Sequence, residues 1–194
     1  ALAFSITEEA IEDNLYDKIS TRYTKALARS MAQTKQVKAV NILDNAFTAG
    51  SFAGGDGVAL CANNHPTIAG TFSNVLATAS DLSETSLEQA VIDIAKFTDE
   101  RGLKIAARGQ KLIIHPAQQF IAERIMKSAN RVGTADNDIN ALSSMGMIPQ
   151  GYVVNNFLAD GESFFIKTDV PNGLKHMVRA PIKTAMEGDF ETGN

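Results

Sequence analysis

Residues 7–45 read TEEAIEDNLYDKISTRYTKALARSMAQTKQVKAVNILDN, a run with neither proline nor glycine, and its periodicity decides the fold. Apolar side chains recur every fourth position at Ile11, Leu15, Ile19, Tyr23, Leu27 and Met31, and Tyr16, Ala26, Ala28 and Ala32 widen the stripe. That spacing lines one face of an α-helix, so the run predicts one helix or two nearly collinear ones. Ser5 with Glu8 fits a capping box, and Glu8, Glu9, Glu12, Asp13 and Asp17 put carboxylates at the positive end of the helix dipole. From Lys18 to Lys38 the sign reverses: Lys18, Arg22, Lys25, Arg29, Lys35 and Lys38 occur with no acid among them. At about 1.5 Å rise per residue the rod spans roughly 45 to 60 Å, longer than a compact domain of this size requires. Two readings follow. Either a charge-polarised rod pairs head to tail with another copy of itself, or a solvated amphipathic helix lies across one core, with Met31 and its stripe buried.

The 194 residues, 44% hydrophobic, suffice for one substantial core or for two small lobes sharing an element. No run of eighteen apolar residues and no signal-peptide pattern occurs, so a soluble intracellular protein without a membrane partner is expected. A single cysteine, Cys61, excludes an internal disulfide and fits a reducing compartment. The net charge of −4 argues against a chain whose main work is wrapping nucleic acid, although Lys18 to Lys38 offers a local basic surface. Ten phenylalanines, three tyrosines and no tryptophan point to a core of Phe and aliphatic side chains.

Beyond Asn45, residues 47–57 (FTAGSFAGGDG) form a glycine-rich loop, Val58 to Cys61 is a short strand candidate, and 48–80 reads as an irregular connector with room for one hairpin. Residues 81–101 (DLSETSLEQAVIDIAKFTDER) predict a second helix, capped at Asp81 or Ser83 and ended by Gly102. Lys111 to Ile114 predicts a buried strand closed by His115-Pro116, and a helix from Ala117 to about Ala129 follows with Phe120, Ile121, Ile125 and Met126 inward. Residues 130–140 (NRVGTADNDIN) are a projecting polar loop. Gly151 to Val154 and Ser163 to Lys167 read as strands joined in a hairpin by the turn at 159–162, and Leu174 to Arg179 and Ala185 to Phe190 are further strand candidates. The order of elements is α+β, with helices packed on a mixed or antiparallel sheet.

Chemistry is sparse. Cys61 and His65 have the spacing of half a zinc site, but only His115 and His176 remain as further histidines, and a site needs three or four ligands. Gly54-Gly55-Asp56-Gly57 lacks the flanking strand, helix and Lys-Ser/Thr of a phosphate-binding loop. Asp136, Asp138 and Asn140 alternate like a calcium loop without its glycine or closing glutamate. No nucleophile, base and oxyanion donor can be assembled, so neither a catalytic residue, a cofactor nor a metal is expected, and function should lie in surfaces.

Several ordered stretches carry a resemblance: Thr7-Glu8-Glu9-Ala10-Ile11-Glu12-Asp13 with Leu15-Tyr16, Ala26-Leu27-Ala28-Arg29-Ser30-Met31, Gly55-Asp56-Gly57 with His65-Pro66, and Asp81-Leu82-Ser83-Glu84. Further along come Phe97-Thr98-Asp99-Glu100-Arg101-Gly102, Asn137-Asp138-Ile139-Asn140, Gly151-Tyr152-Val153-Val154 and residues 168–175 (TDVPNGLK). Taken in this order, along nearly the whole chain, they resemble the major capsid (head) proteins of tailed bacteriophages, especially the Mu-like head subunits.

The resemblance implies the capsid fold named after phage Hong Kong 97, with residues 7–45 as its spine helix. It implies a peripheral domain part over 1–80, an axial domain over 81–166, and a return to the peripheral domain over 167–194. It also implies a partial chain, since relatives carry an N-terminal arm, an extended loop before the spine and a further terminal strand. Where relatives often have a second proline, this chain has His115, which weakens a functional role for that histidine. The implied function is a self-assembling, non-enzymatic subunit of an icosahedral head, located in the virion and assembled in the host bacterial cytoplasm. Its partners would be copies of itself in hexamers and pentamers, double-stranded DNA held non-specifically inside, and portal, scaffold or cement proteins. Expected subunit contacts are Glu8, Glu12, Arg22 and Arg29 on the rod and Asp136, Asn137 and Asp138 on the loop. The rival readings are a nanocompartment shell holding protein cargo, and a soluble α+β enzyme using His115 or Cys61.

Overall fold

A computed structural model describes residues 3–13, 16–131, 138–171, 173–181 and 183–185, and the chain divides into two compact units, Ala1–Ala39 with Lys175–Asn194, and Val40–Leu174. It is a mixed α and β structure.

In the first unit, α1 (Glu8–Glu12) is capped by Thr7, whose hydroxyl oxygen accepts from the Ala10 amide at 3.4 Å, so the cap is two residues later than Ser5. The long helix α2 (Tyr16–Asp44) follows, its residues up to Ala39 in this unit and those from Val40 on in the second. The two are not a collinear rod. The Phe4 ring lies 5.7 Å from the Tyr23 ring, whereas a straight helix would hold residues this far apart in sequence roughly 28 Å from each other, so the segment ahead of α2 folds back along it. From Asp17 to Ala39 no residue of α2 is buried: Ile19, Leu27 and Met31 are half-buried and Tyr23 is 48% exposed. The stripe read as core is therefore only partly covered within this chain. After Leu174 the residues expected to form a strand up to Arg179 adopt no regular structure. Of the 185–190 candidate, only Ala185 lies among the described residues.

The second unit is organised on β3 (Gly109–Ile114), which lies between β4 (Tyr152–Val154), parallel to it, and β5 (Phe164–Thr168), antiparallel to it. Leu112 stands opposite both Tyr152 and Ile166. This corrects the expected hairpin between the last two strands. Leu112 and Ile114 are wholly buried, and a strand so enclosed needs a ladder on both edges. The connection continues past the end of β3, where the Asn155 amide donates to the Ile114 carbonyl at 2.9 Å.

Helix α3 (Glu84–Ala95) begins where Ser83 and Ser86 cap each other, each hydroxyl oxygen accepting from the other's amide at 3.1 and 2.9 Å. It stops well before Gly102. The Asp99 carboxylate accepts from the Arg101 and Leu103 amides at 2.9 and 2.8 Å, folding 99–103 into a turn in which Gly102 takes a φ of +83°. Within the 48–80 connector Val58 to Cys61 is not a strand, and the hairpin is β1 (His65–Thr67) with β2 (Gly70–Phe72).

After β3 the His115 imidazole accepts from the Ala117 amide at 3.1 Å and opens a 3-10 turn, Pro116–Gln118, which leads into α4 (Gln119–Lys127). Of the four side chains expected inward, Ile125 is buried and Met126 packs against the core. Ala122 and Ile125 face the core, while Phe120 is 71% and Ile121 41% exposed, opposite to their expected inward placement. The short α5 (Ala141–Ser144) is capped by the buried Asn140, whose amide also donates to the Ile125 carbonyl. The core joins Leu82 and Leu87 to Leu112, Ile114, Ala122, Ile125, Leu142 and Ile148.

Candidate subunit interface

On α2 the steps of four, three and four residues separating Lys18, Arg22, Lys25 and Arg29 place these cations in one line along the helix. All four are exposed, and among the described residues none forms an ion pair. Glu8 and Glu12, four apart on α1, are likewise exposed and unpaired among the described residues. The first unit thus holds four of the expected contact residues on its surface.

The loop candidates belong to the second unit. Its base is closed by a bridge between Asn130 and Ile139 and by the Arg131 amide donating to the Asp138 carbonyl at 2.9 Å. Asp138 is exposed there; Asp136 and Asn137 lie outside the described residues.

The polar groups that suggested chemistry have structural partners. His65 Nδ1 lies 2.7 Å from the Asp56 carboxylate, whose other oxygen accepts from the Val58 amide at 3.1 Å, tying the 54–58 loop to the hairpin. Burial pushes the Cys61 thiol up to about 11, away from the thiolate that nucleophilic or metal chemistry needs. Among the described residues no three His, Cys, Asp or Glu side chains gather to hold a metal, and no helix is long and apolar enough to cross a membrane.

The hydrogen bond from His65, with the Val58 amide, holds the Asp56 carboxyl below its ordinary value of 3.8. A depressed carboxylate contributes stability that is present above the ordinary value and lost as pH falls through the folded one. Acidification below about pH 4 should therefore release the 54–58 loop, read as faster amide exchange at Val58. Asp56→Ala should show that fast exchange already at neutral pH; unchanged protection in the variant would refute the tie.

One surface escaped the sequence reading. Ile68, 82% exposed, and Leu103, 65% exposed, sit on two neighbouring turns joined by the Ala69 amide donating to the Glu100 carbonyl at 3.1 Å. A β-branched residue at the tip of Pro66-Thr67-Ile68-Ala69-Gly70, where turn formers are favoured, was the available signal.

In comparison with known proteins, a family model described as phage capsid protein matches residues 1–194. No curated protein and no solved structure matches.

Proposed function

We propose, from the premise that this chain belongs to the phage capsid protein family, that it is the repeating subunit of an icosahedral head, akin to the Mu-like head proteins. In this reading it assembles from copies of itself around double-stranded DNA. The virion capsid is the place such a family implies, and its role there is structural rather than catalytic. The reading assigns the Hong Kong 97-type fold, with α2 as the spine, 1–80 and 167–194 as the peripheral part and 81–166 as the axial domain.

The observation that carries the proposal is α2 itself, which runs from Asp17 to Ala39 without a single buried residue although its sequence repeats an apolar stripe. A helix so patterned gains most of its stability from packing, and here identical neighbours supply the missing partner. Closed shells require heterologous patches that meet different patches on the next copy. Glu8, Glu12, Arg22, Arg29 and Asp138, with Asp136 and Asn137, are the proposed contacts. Each exposed ion pair contributes only about 0–1 kcal/mol, so apolar area supplies the affinity and charge supplies register.

Negative-stain microscopy of the full-length protein, with assay of nuclease-protected DNA, tests the reading. Closed particles protecting double-stranded DNA are expected when head assembly is complete, with portal, scaffold or cement proteins supplied. Particles filled with protein cargo and free of DNA would establish the nanocompartment instead, and a persistently monomeric protein would overturn both.

A further inference from the structure

The basic row of α2 extends from Lys18 to Arg29, about 16 Å at 1.5 Å per residue, with neighbouring cations one helical turn apart. It lies open: all four cations are exposed, and the Phe4 ring ahead of α1 contacts Tyr23, about 100° around the helix from Arg22. The same unit presents an unsatisfied set of opposite sign and matching pitch. Glu8 and Glu12 repeat at four residues, as do Glu9 and Asp13 beside them, and all four are exposed. Neither set is paired or neutralised among the described residues.

We propose that a second copy of this chain lays its acidic α1 row, Glu8 and Glu12 flanked by Glu9 and Asp13, along the Lys18, Arg22, Lys25, Arg29 row of α2. This deepens the assembly reading above and rests on it. Complementary sign and equal spacing on one polypeptide favour a copy of itself over a phosphate strand. Exposed carboxylates carried by the same unit would oppose DNA phosphates brought to the row. Pairing of row with row fixes which part of one subunit meets which part of the next, a patch-to-different-patch contact of the kind that closes rings.

Charge exchange between two variants tests it. Glu8→Lys/Glu12→Lys and Arg22→Glu/Arg29→Glu are each expected to lose particles at least tenfold by sedimentation while keeping wild-type circular dichroism. Mixed in equal amounts they should recover assemblies containing both in a 1:1 ratio, because each variant offers what the other lacks. The milder Arg22→Gln/Arg29→Gln pair, which keeps helix propensity, should assemble less and with a weaker dependence on salt. Folded single variants whose mixture stays unassembled overturn the pairing, as does an Arg22→Glu/Arg29→Glu protein that assembles like wild type. Particles of normal yield that merely lose DNA from this variant would overturn it in favour of a phosphate contact. Failure of the wild-type protein to form any particle would instead remove the reading on which the pairing rests.

Discussion

Leu112→Ala is expected to destabilise the second unit by about 2–5 kcal/mol, measured as a shift in the denaturant midpoint at unchanged slope. Leu112 is completely buried, lies on the central strand, and pairs across both edges of the sheet with Tyr152 and Ile166. Its side chain belongs to the cluster in which Leu87 and Ile125 meet the sheet. Truncation removes apolar area and leaves a cavity that a strand fixed on both sides cannot collapse to fill. A loss below about 1 kcal/mol, typical of surface positions, would mean that the strand is not the centre of the fold.

Met31→Asp is expected to behave in the opposite way. As a buried position it would abolish folding, since an unpaired carboxylate in an apolar core costs several kcal/mol. In the structure Met31 is only half-buried, on a helix with no buried residue between Asp17 and Ala39. The carboxylate can reach water in the isolated chain, so the thermal midpoint of the chain should move by less than about 4 °C, the shift that about 1 kcal/mol produces at this size. Particle formation should nevertheless disappear, because assembly would seal that position against a neighbour. Sedimentation beside differential scanning calorimetry separates the outcomes: unfolding would restore Met31 to the core, and normal particles would remove the stripe from the interface.

The legible parts of the fold were those governed by local rules. Periodicity marked α2, Ser83 marked the start of α3, and the continuous apolar run Leu112-Ile113-Ile114 marked the buried strand. What failed depended on partners distant in sequence or on turn chemistry. The turn at 159–162 looks like a hairpin because nothing local records that β3 inserts between β4 and β5. Gly102 is a plausible stop for α3, yet the Asp99 carboxylate accepts from the amides on either side of it, Arg101 and Leu103, and makes it part of a separate turn. Phe120 and Ile121 are exposed although Ile125 and Met126 of the same helix pack on the core, because the apolar positions of α4 span more of its circumference than the core covers.

The candidate interface was legible in its charges and obscure in its apolar part. Glu8, Glu12, Arg22 and Arg29 stand on the surface as their spacing suggested. Whether an apolar stripe meets its own chain or another copy is not written in its period, since both give the same repeat. The turns carrying Ile68 and Leu103 become neighbours through tertiary contacts, the Ala69 amide on the Glu100 carbonyl and the Phe72 ring on Phe97, that no local pattern records.

The placement of β3 between two later strands also sets a timetable for synthesis. The ladder against β5 requires Phe164–Thr168 to have left the ribosome, whereas α2 emerges far earlier. Domains fold as units during translation, and long-range pairing waits for its last strand. On a nascent chain α2 is therefore exposed while the central sheet of the second unit still lacks its last strand, and the ladder of β3 with β5 closes only late in synthesis.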